Sequence, residues 1–444
     1  MKKIPVLAFF FLMPVLSGYA QAVYELSFTF PKSKDSVVYK AFFNDFNDGK
    51  GKLRLKFVPP AANDTILVDM DVMEDDAEMN GGCVNNGRLY YKLLNVKYKA
   101  GRDPGAVLPK YICSQKNAAT GFFEPSGVAN SSADCKADIV KFSSIAIIKQ
   151  ANLKELVSAY FKPDDLFYRN VFVNNKVKAL SVWEHNVKLY LLFVANVTDP
   201  KIGTADRKNM KDAIAFFGKV KQSLGIDQFI YDTITGANFT KQNVENKIKT
   251  FLTPGPNDIV VFYYSGHGFR TAKDSRPGPY IGLVSNDKQD YQTNSIKLDD
   301  ITETIRSKRG RLNLVISDCC NKDPGQTGSV NVGANTGGKG GLGDYWSDTN
   351  LRALFLNPTP TTIMFTAAEQ NQIALSNPEF GGYFSNFFIT AMDNHLSYNK
   401  TNVKWADIIK QTIDNTWRKS NRTWCNEAKT VKCNMQVPVS EPRF

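Results

Sequence analysis

The sequence predicts an α/β domain built on a mainly parallel, doubly wound sheet, preceded by a smaller β-rich domain of sandwich type. Two short apolar runs, at 258–264 and 312–317, have the length and composition of buried strands in a parallel sheet. From position 187 onward such runs alternate with helical patterns, which is typical of right-handed β-α-β units. Between 23 and 143 the runs alternate apolar and polar residues, as half-exposed strands do.

The first 22 residues have the composition of a secretion signal. Lys2 and Lys3 supply the positive charge, an apolar segment follows at 4–16, and Ala20-Gln21-Ala22 offers the small residues of a cleavage site. The apolar segment is short and interrupted by prolines, which argues against a membrane anchor. We expect a mature chain that begins near Val23 and is secreted or periplasmic, without membrane association.

Charge and cysteine content bound the class of protein. The formal charge of +12 falls to +10 without the signal, and the lysines are scattered, so we expect a solvated basic surface and no nucleic-acid partner. Seven cysteines in an exported chain predict disulfides. Cys425 and Cys433 lie in one C-terminal loop and predict a local bridge. Among the three cysteines of the N-terminal third, Cys113 with Cys135 is the preferred pair and the other pairings with Cys83 stay open.

Three segments follow the predicted signal at 1–22. The β-rich domain covers 23–150, a connecting helix and hairpin cover 151–186, and the α/β domain covers 187–444, with a Gly-rich loop at 321–360. Within the α/β domain, helices are predicted at 204–224 and at 403–417, and Gly225 marks the end of the first. Two further helices are predicted to begin after Thr240 and after Asp299, which are candidate N-caps. Strands are predicted at 188–195, 229–231 and 361–367, beside the two buried runs.

The two buried runs end in residues that carry chemistry. Ser265-Gly266-His267-Gly268 follows the first run, and Asp318-Cys319-Cys320 follows the second. The carboxyl edge of an open α/β sheet is where ligands bind, so these residues can meet there. An imidazole beside a thiol favours the thiolate and can later protonate a leaving amine. The backbone N–H groups of Gly268 and Cys320 are then candidates for an oxyanion hole.

These two motifs resemble the caspase-like cysteine peptidases of clan CD, and they are closest in pattern to the metacaspases. His267 precedes Cys320 by 53 positions, close to the separation of about 50 typical of caspases. The resemblance implies that Cys320 is the nucleophile and His267 the base. It covers 187–439, with Gln436-Val437-Pro438 similar to the family's closing segment, and it departs at Asn321-Lys322, where the family has His-Ser or His-Gly.

The same resemblance implies cleavage after Arg or Lys. The segment 203–210 is similar to the metacaspase segment whose Asp lines the S1 pocket, which assigns that role to Asp206. Asp318, two residues before the nucleophile, is the second candidate. Two carboxylates are suited to a guanidinium or ammonium group. An acid in the first turn of a helix is also favoured by the helix dipole alone, so Asp206 has a structural alternative.

The family also implies a processing loop and calcium activation. Lys322, Lys339 and Arg352 are candidate self-cleavage points of a zymogen, and a surface loop that is never cut is the alternative. Asp299 and Asp300 match the paired acids of the metacaspase calcium site, although N-capping explains Asp299 without metal. No cofactor is needed for the chemistry itself.

The sequence therefore predicts an exported, monomeric cysteine endopeptidase that acts on proteins or peptides. The alternative is a catalytically silent binding protein that keeps the fold as an interaction scaffold. Redox chemistry of the Cys319–Cys320 pair is disfavoured, because adjacent cysteines form a disulfide only with strain.

Overall fold

The computed structural model describes most of the chain outside the predicted signal and several loops. The described residues are 22–29, 37–45, 50–59, 64–74, 88–102, 107–116, 123–131, 134–135, 140–147, 158–161, 180–271, 273–284, 290–322, 346–397, 400–423, 433 and 435–442. The predicted signal, most of the connecting segment and most of the Gly-rich loop therefore lie outside the described residues.

Eight antiparallel strands form one N-terminal sheet, in the order β7-β6-β5-β4-β3-β2-β1-β8. They are β1 (Ala22–Thr29), β2 (Val38–Asp45), β3 (Lys50–Phe57), β4 (Ile66–Glu74), β5 (Arg88–Ala100), β6 (Tyr111–Lys116), β7 (Phe123–Ala129) and β8 (Ser144–Ile147). Alternate residues of these strands, such as Leu26, Phe43 and Leu55, are buried in a single apolar cluster. This is the burial that period-two alternation predicts.

The N-terminal sheet closes on itself, which differs from the expected sandwich of two facing sheets. Val128 in β7 donates its N–H to Val140 O at 3.0 Å, and Ser143, at the start of β8, donates to Ser27 O of β1 at 2.7 Å. The short segment 140–147 therefore bridges the first and last strands of the meander. Residues of β1 to β7 share one core beneath this joined sheet.

A six-stranded mixed sheet organises the C-terminal half, in the order β10-β9-β11-β15-β16-β19. Its strands are β9 (Lys188–Ala195), β10 (Gln228–Ile234), β11 (Ile259–Ser265), β15 (Leu312–Asp318), β16 (Thr361–Thr366) and β19 (Val439–Glu441). The first five in this spatial order pair in parallel, and β19 pairs antiparallel with β16. Strands β11 and β15 are buried along their whole length, as their uninterrupted apolar composition predicts.

Helices cover both faces of this sheet. They are α1 (Val182–His185), α2 (Gly203–Leu224), α3 (Lys241–Thr250), α4 (Leu298–Ser307), α5 (Asp348–Phe355), α6 (Tyr383–Leu396) and α7 (Trp405–Asn421). Residues of α3 and α4 pack in one core with Leu192 of β9, whereas residues of α2, α5, α6 and α7 pack with Phe193 on the other face. Alternate residues of one strand thus pack into two separate cores, one on each face of the sheet.

Helix ends follow the predicted caps at two of three positions. Gly225 ends α2 with a left-handed φ of 74°, and the Thr240 side chain accepts a hydrogen bond from Asn243 N at the start of α3. The prediction that Asp299 caps α4 is wrong, because the helix already begins at Leu298 and its cap is Lys297. Val182 and Trp183, which were predicted as the end of the hairpin in the connecting segment, lie in the short helix α1.

Two small sheets lie beyond the strand ends. Strands β12 (Gly268–Phe269), β13 (Tyr280–Gly282) and β14 (Ser295–Lys297) pair antiparallel directly after β11, and β17 (Ser376–Asn377) pairs with β18 (Gly381–Gly382) before α6. Both small sheets stand at the carboxyl edge of the parallel strands. Within the described ranges, no helix combines the length and apolar character that a membrane crossing needs.

The cysteines divide into bridged and free residues. Cys113 and Cys135 form a disulfide, as the preferred pairing predicts. Cys433 is also disulfide-bonded, but Cys425 lies outside the described residues, so the Cys425–Cys433 bridge stays a prediction. Of the described cysteines, Cys319 and Cys320 are free.

Replacing Cys113 and Cys135 together by Ser is expected to destabilise the N-terminal domain by about 3 kcal/mol. The disulfide closes a loop of 22 positions, and losing that constraint raises the entropy of the unfolded chain. Thermal unfolding of the mature protein, followed by circular dichroism, measures the change. Cys320→Ser is the matched control and is expected to keep the wild-type midpoint, and a midpoint equally unchanged in the double variant would contradict the prediction.

Candidate active site at the carboxyl edge of the sheet

The two predicted motifs are brought together by backbone pairing. Strands β11 and β15 are parallel neighbours, and Ser265 lies opposite Asp318. His267 and Cys320 each follow two residues later, so they leave the sheet at the same level of the same edge. Gly266 N also donates to Asp318 O at 3.3 Å, which extends the pairing beyond the last strand residue.

Glycine at 268 permits the close approach of the histidine turn to the cysteines. A Cβ atom at Gly268 would lie 2.4 Å from Cys319 Sγ and 2.5 Å from Cys320 O. Both separations are far shorter than carbon atoms tolerate, so only glycine fits there. The residue after His267 is therefore in direct contact with both cysteines.

The histidine turn is anchored by its own backbone oxygen. His267 O accepts a hydrogen bond from Gly282 N of β13 at 2.8 Å, and the Tyr264 hydroxyl lies 2.6 Å from the same oxygen. Tyr264 is fully buried. The small sheet β12-β13-β14 thus fixes the turn from the side opposite the cysteines.

The His267 side chain contacts an acid that the sequence did not single out. His267 Nε2 lies 3.0 Å from Asp199 Oδ2, and both side chains are partly buried. Asp199 follows β9 by four residues, at the same edge of the sheet. Burial raises the pKa of this carboxyl, but the N–H groups of Ile202 and Lys201 together with His267 outweigh burial and lower it overall.

The two cysteines have different surroundings. Cys319 is 1% exposed, lies within the core of one sheet face, and has its Sγ 3.0 Å from Ser317 Oγ. Burial raises the pKa of the Cys319 thiol well above its ordinary value. Cys320 is only partly buried, and its Sγ accepts a hydrogen bond from Ala374 N at 3.3 Å. Of the two thiols, Cys320 is the one that a substrate can reach.

The surroundings of the Cys320 thiol disfavour its ionised form. Burial raises its pKa to about 11, although the Ala374 N–H opposes the shift. A thiol of that kind needs a neighbouring base before it can act as a nucleophile. His267 is the imidazole at this edge.

Asp206 and Asp318 belong to one buried hydrogen-bond network. Asp206 Oδ1 accepts from Ser265 Oγ at 2.6 Å, and Asn209 Nδ2 donates to Ser265 Oγ at 2.9 Å and to Asp318 Oδ2 at 3.4 Å. Ser385 also donates its N–H to Asp318 Oδ2, at 3.1 Å, and its hydroxyl to the same oxygen. The structure thus connects the two predicted S1 residues through Ser265 and Asn209.

The carboxyl groups of Asp206 and Asp318 differ in the hydrogen bonds that they accept. Burial raises the pKa of Asp318 to about 6, although Ser385 and Asn209 oppose the shift. Burial also raises the pKa of Asp206 well above its ordinary value, with Asp318 and Asp199 adding to it. Asp206 Oδ2 is buried and has no hydrogen-bond partner among the described residues. An oxygen of that kind is a vacant acceptor for a cationic group.

Asn321 directly follows Cys320, at the position where the sequence departs from the resemblance described above. Its side chain is fully buried and donates to Pro277 O at 3.1 Å and to Ala368 O at 3.2 Å. The next residue, Lys322, accepts a hydrogen bond from Arg270 N through its carbonyl oxygen. These contacts hold the chain after Cys320 against the segment that follows the histidine turn.

The two residues of the predicted calcium site form ion pairs with Lys297 and Arg276. Asp299 Oδ2 lies 3.7 Å from the ammonium of Lys297, which also pairs with Asp274 at 2.7 Å, and Asp300 pairs with the guanidinium of Arg276. Lys297 is 2% exposed, so its charge is enclosed. Across the described part of the chain, no group of three or more acidic, His or Cys side chains has metal-ligand geometry. Asp299 and Asp300 thus form ion pairs with Lys297 and Arg276, and their role as calcium ligands stays a prediction.

The predicted self-cleavage points are spread over different environments. Arg352 lies inside α5, where it pairs with Glu184 and Asp348, and a helical backbone does not present the extended form that a peptidase binds. Lys322 directly follows the nucleophile segment, and Lys339 lies outside the described residues. The structure thus gives no support to cleavage at Arg352.

Three polar residues of this edge escaped the sequence analysis. Asn209 lies three positions after Asp206, so helical spacing places both on one face of α2, and that signal was available. Asp199 and Ser385 carried no comparable signal, because their positions depend on how α2 and α6 pack on the sheet.

Comparison with known proteins agrees with this geometry. The family model of the caspase domain matches residues 192–434, which is more than half of the chain. No curated protein matches the chain.

Gly268→Ala is expected to slow alkylation of Cys320 by iodoacetamide by one to two orders of magnitude. The added methyl group would collide with Cys319 Sγ and Cys320 O and displace the histidine turn. Intact-mass spectrometry at fixed pH measures the rate.

Gly218→Ala is the matched control for this substitution. Its Cβ would meet Phe229 at an ordinary 3.6 Å inside α2, so wild-type alkylation is expected. Equal rates in the Gly268 variant and the wild type would show that the turn does not control the thiol.

Proposed function

Since this chain belongs to the caspase-domain family, we propose that it is an exported cysteine endopeptidase that cleaves peptide bonds after Arg or Lys. One observation carries the proposal. His267 and Cys320 follow neighbouring parallel strands at the same level, and Gly268 contacts the cysteine backbone. A base and a thiol in that relation are the minimum that nucleophilic catalysis on a carbonyl requires.

The chemistry begins with proton transfer from Cys320 Sγ to His267. The sulfur then attacks the carbonyl carbon, and the new oxyanion is stabilised by the N–H groups of Gly268 and Cys320. The tetrahedral intermediate collapses to a thioester as the carbon–nitrogen bond breaks, and His267 returns the proton to the leaving amine. Water, deprotonated by His267, attacks the thioester and releases the acid product and the thiol.

Selection of a basic P1 residue rests on Asp206. Its Oδ2 is buried and unpartnered, whereas Asp318 Oδ2 already accepts several hydrogen bonds. A guanidinium or ammonium group bound against Asp206 supplies the missing donor and a compensating charge. Asp318 contributes its charge through Asn209 and Ser265. Binding a cation favours the ionised carboxylates, so it is coupled to proton release from this network.

Export is supported by two independent features. The first 22 residues have the composition of a secretion signal, and the Cys113–Cys135 disulfide suits an oxidising compartment. We propose that the mature enzyme works outside the cytoplasm as a monomer on protein or peptide substrates.

A non-catalytic interaction scaffold is the alternative function. It keeps the caspase fold but does not use the thiol. Covalent labelling with a thiol-reactive inhibitor that carries Arg separates the two: the peptidase forms an adduct on Cys320, and the scaffold forms none.

Fluorogenic peptides that end in Arg, Lys or Asp test the reaction directly. We expect turnover of the Arg and Lys peptides by the mature protein, equal in calcium and in a chelator, and none by Cys320→Ala. We expect the same turnover in a chelator because Asp299 and Asp300 form ion pairs with Lys297 and Arg276. Turnover of the Asp peptide would agree with the His267–Cys320 dyad but contradict the assignment of Asp206 and Asp318 to the S1 pocket. If neither the intact nor the loop-nicked protein cleaves any of the three peptides, the interaction scaffold is favoured.

Asp206→Asn is expected to lower kcat/KM for the Arg peptide by about 10- to 100-fold, the range of a lost charge-assisted hydrogen bond. Because the pKa values of Asp206 and Asp318 are raised, both carboxyls lose their protons only at higher pH. KM for the Arg peptide should therefore fall as the pH rises through about 6, the pKa to which burial raises Asp318.

Asp227→Asn is the matched control for the S1 variant. Asp227 is exposed just after α2, so the substitution removes one carboxylate without touching the network. A KM that is independent of pH, or an equal loss in both variants, would speak against a carboxylate S1 site.

A further inference from the structure

We propose that Asp199 is a positioning residue for His267 and makes the active site a Cys-His-Asp triad. The proposal rests on the proposed function and adds a third residue to its dyad. The carboxylate binds Nε2, which leaves Nδ1 as the nitrogen that accepts the proton of Cys320. The same carboxylate balances the charge of the imidazolium once that proton has moved.

The Asp199 carboxylate is held in place before it meets the histidine. Asp199 Oδ1 accepts the N–H of Lys201 at 2.8 Å and that of Ile202 at 3.0 Å, which leaves Oδ2 for His267 at 3.0 Å. The two oxygens thus have separate tasks. One anchors the side chain to the turn that leads into α2, and the other orients the imidazole.

The backbone of Asp199 is fixed as well. Its N–H donates to Asn196 O at 3.3 Å, and its carbonyl oxygen accepts from Gly203 N at 2.9 Å. A Cβ at Gly203 would lie 2.6 Å from Val197 O, so the turn closes only with glycine there. Since Asn196 N also bonds Ser265 O of β11, the turn is tied to the strand that carries the histidine.

Hydrogen bonding determines which imidazole nitrogen is available. A carboxylate accepts a hydrogen bond and cannot donate one, so the nitrogen beside Asp199 carries a proton. Neutral imidazole has one N–H, and the remaining nitrogen is then an acceptor. Without the carboxylate, the imidazole is free to adopt the opposite tautomer, which cannot take the proton of the thiol.

Charge balance is the second reason to assign Asp199 a role beside His267. Moving the proton from Cys320 Sγ to Nδ1 breaks one S–H bond, forms one N–H bond, and creates a thiolate beside an imidazolium. Burial strongly disfavours that thiolate. The other charged groups here are Asp206, which interacts with Asp199, and Asp318 and Lys322, which interact with the thiol. Among these, Asp199 is the carboxylate in direct contact with the imidazole.

The test compares Asp199→Asn with wild type, each with and without His267→Ala. The first readout is alkylation of Cys320 by iodoacetamide against pH, which needs neither a peptide nor the S1 site. We expect Asp199→Asn to slow alkylation at neutral pH about tenfold or more and to move its onset to higher pH, while the thermal midpoint stays constant. In the His267→Ala background the Asp199 substitution is expected to have no further effect.

The second readout is turnover of the Arg peptide. Asp199→Asn should lower kcat by about 10²- to 10³-fold with little change in KM, because the carboxylate acts on the histidine and not on the substrate. Asp227→Asn, the exposed control, should match wild type in both readouts.

The outcomes separate this inference from the proposed function. If peptides are cleaved and Asp199→Asn equals wild type in turnover and in its alkylation profile, the triad is wrong and the dyad stands. If no peptide is cleaved but alkylation depends jointly on Asp199 and His267, the triad stands and the peptidase assignment fails. An equal effect of Asp199→Asn with and without His267 would overturn the triad, since the carboxylate would then act without the imidazole.

Discussion

The in-register parallel pairing of β11 with β15 is the constraint on which this active site depends. Seven consecutive residue pairs fix the two strands relative to each other, from Ile259 opposite Leu312 to Ser265 opposite Asp318. His267 and Cys320 then emerge at one level, two residues beyond the last pair. Buried backbone hydrogen bonds, and not flexible side chains, therefore set the relation between His267 and Cys320. The close packing of Gly268 on the cysteines completes that relation.

Three carboxyls at this edge differ in their environment, and their roles follow from the difference. Asp199 receives two backbone N–H groups and the imidazole, and its pKa is lowered. Asp318 is buried but surrounded by donors, and its pKa is raised to about 6. Asp206 has one donor and one oxygen without a partner among the described residues, and its pKa is also raised. An anion that is already stabilised suits the orientation of a histidine, whereas an unsatisfied acid suits the binding of a cation.

Internal cations support the segment between the histidine turn and the cysteine loop. Lys297 pairs with Asp274, and Arg270 donates to Asp274 O at 2.6 Å while its N–H bonds Lys322 O. Asn321 contacts Pro277 in the same segment. The chain after Cys320 is thus connected to a buried ammonium group.

The sequence by itself determined the main strands, the order of the elements and the positions of His267 and Cys320 after two buried strands. Apolar runs without polar interruption can only be buried, and Ser-Gly-His-Gly and Asp-Cys-Cys stand directly at their ends, so local information was sufficient. Asp206 also followed from a local motif, and Asn209 could have followed from its helical spacing. The alternating pattern at 23–143 predicted antiparallel strands, but not the closure of their sheet, which depends on the pairing of segment 140–147 with β7 and with β1.

Only the tertiary structure decided the partners of these residues. Asp199 meets His267 because β9 pairs with β11 and the turn after β9 folds back over the same edge. Ser385 reaches Asp318 from α6, 67 positions away, and Lys297 pairs with Asp274, 23 positions away. Each of these contacts joins residues far apart in the chain. Hydrophobic periodicity reports which face of an element is buried, but it carries no information about which polar group will face it there.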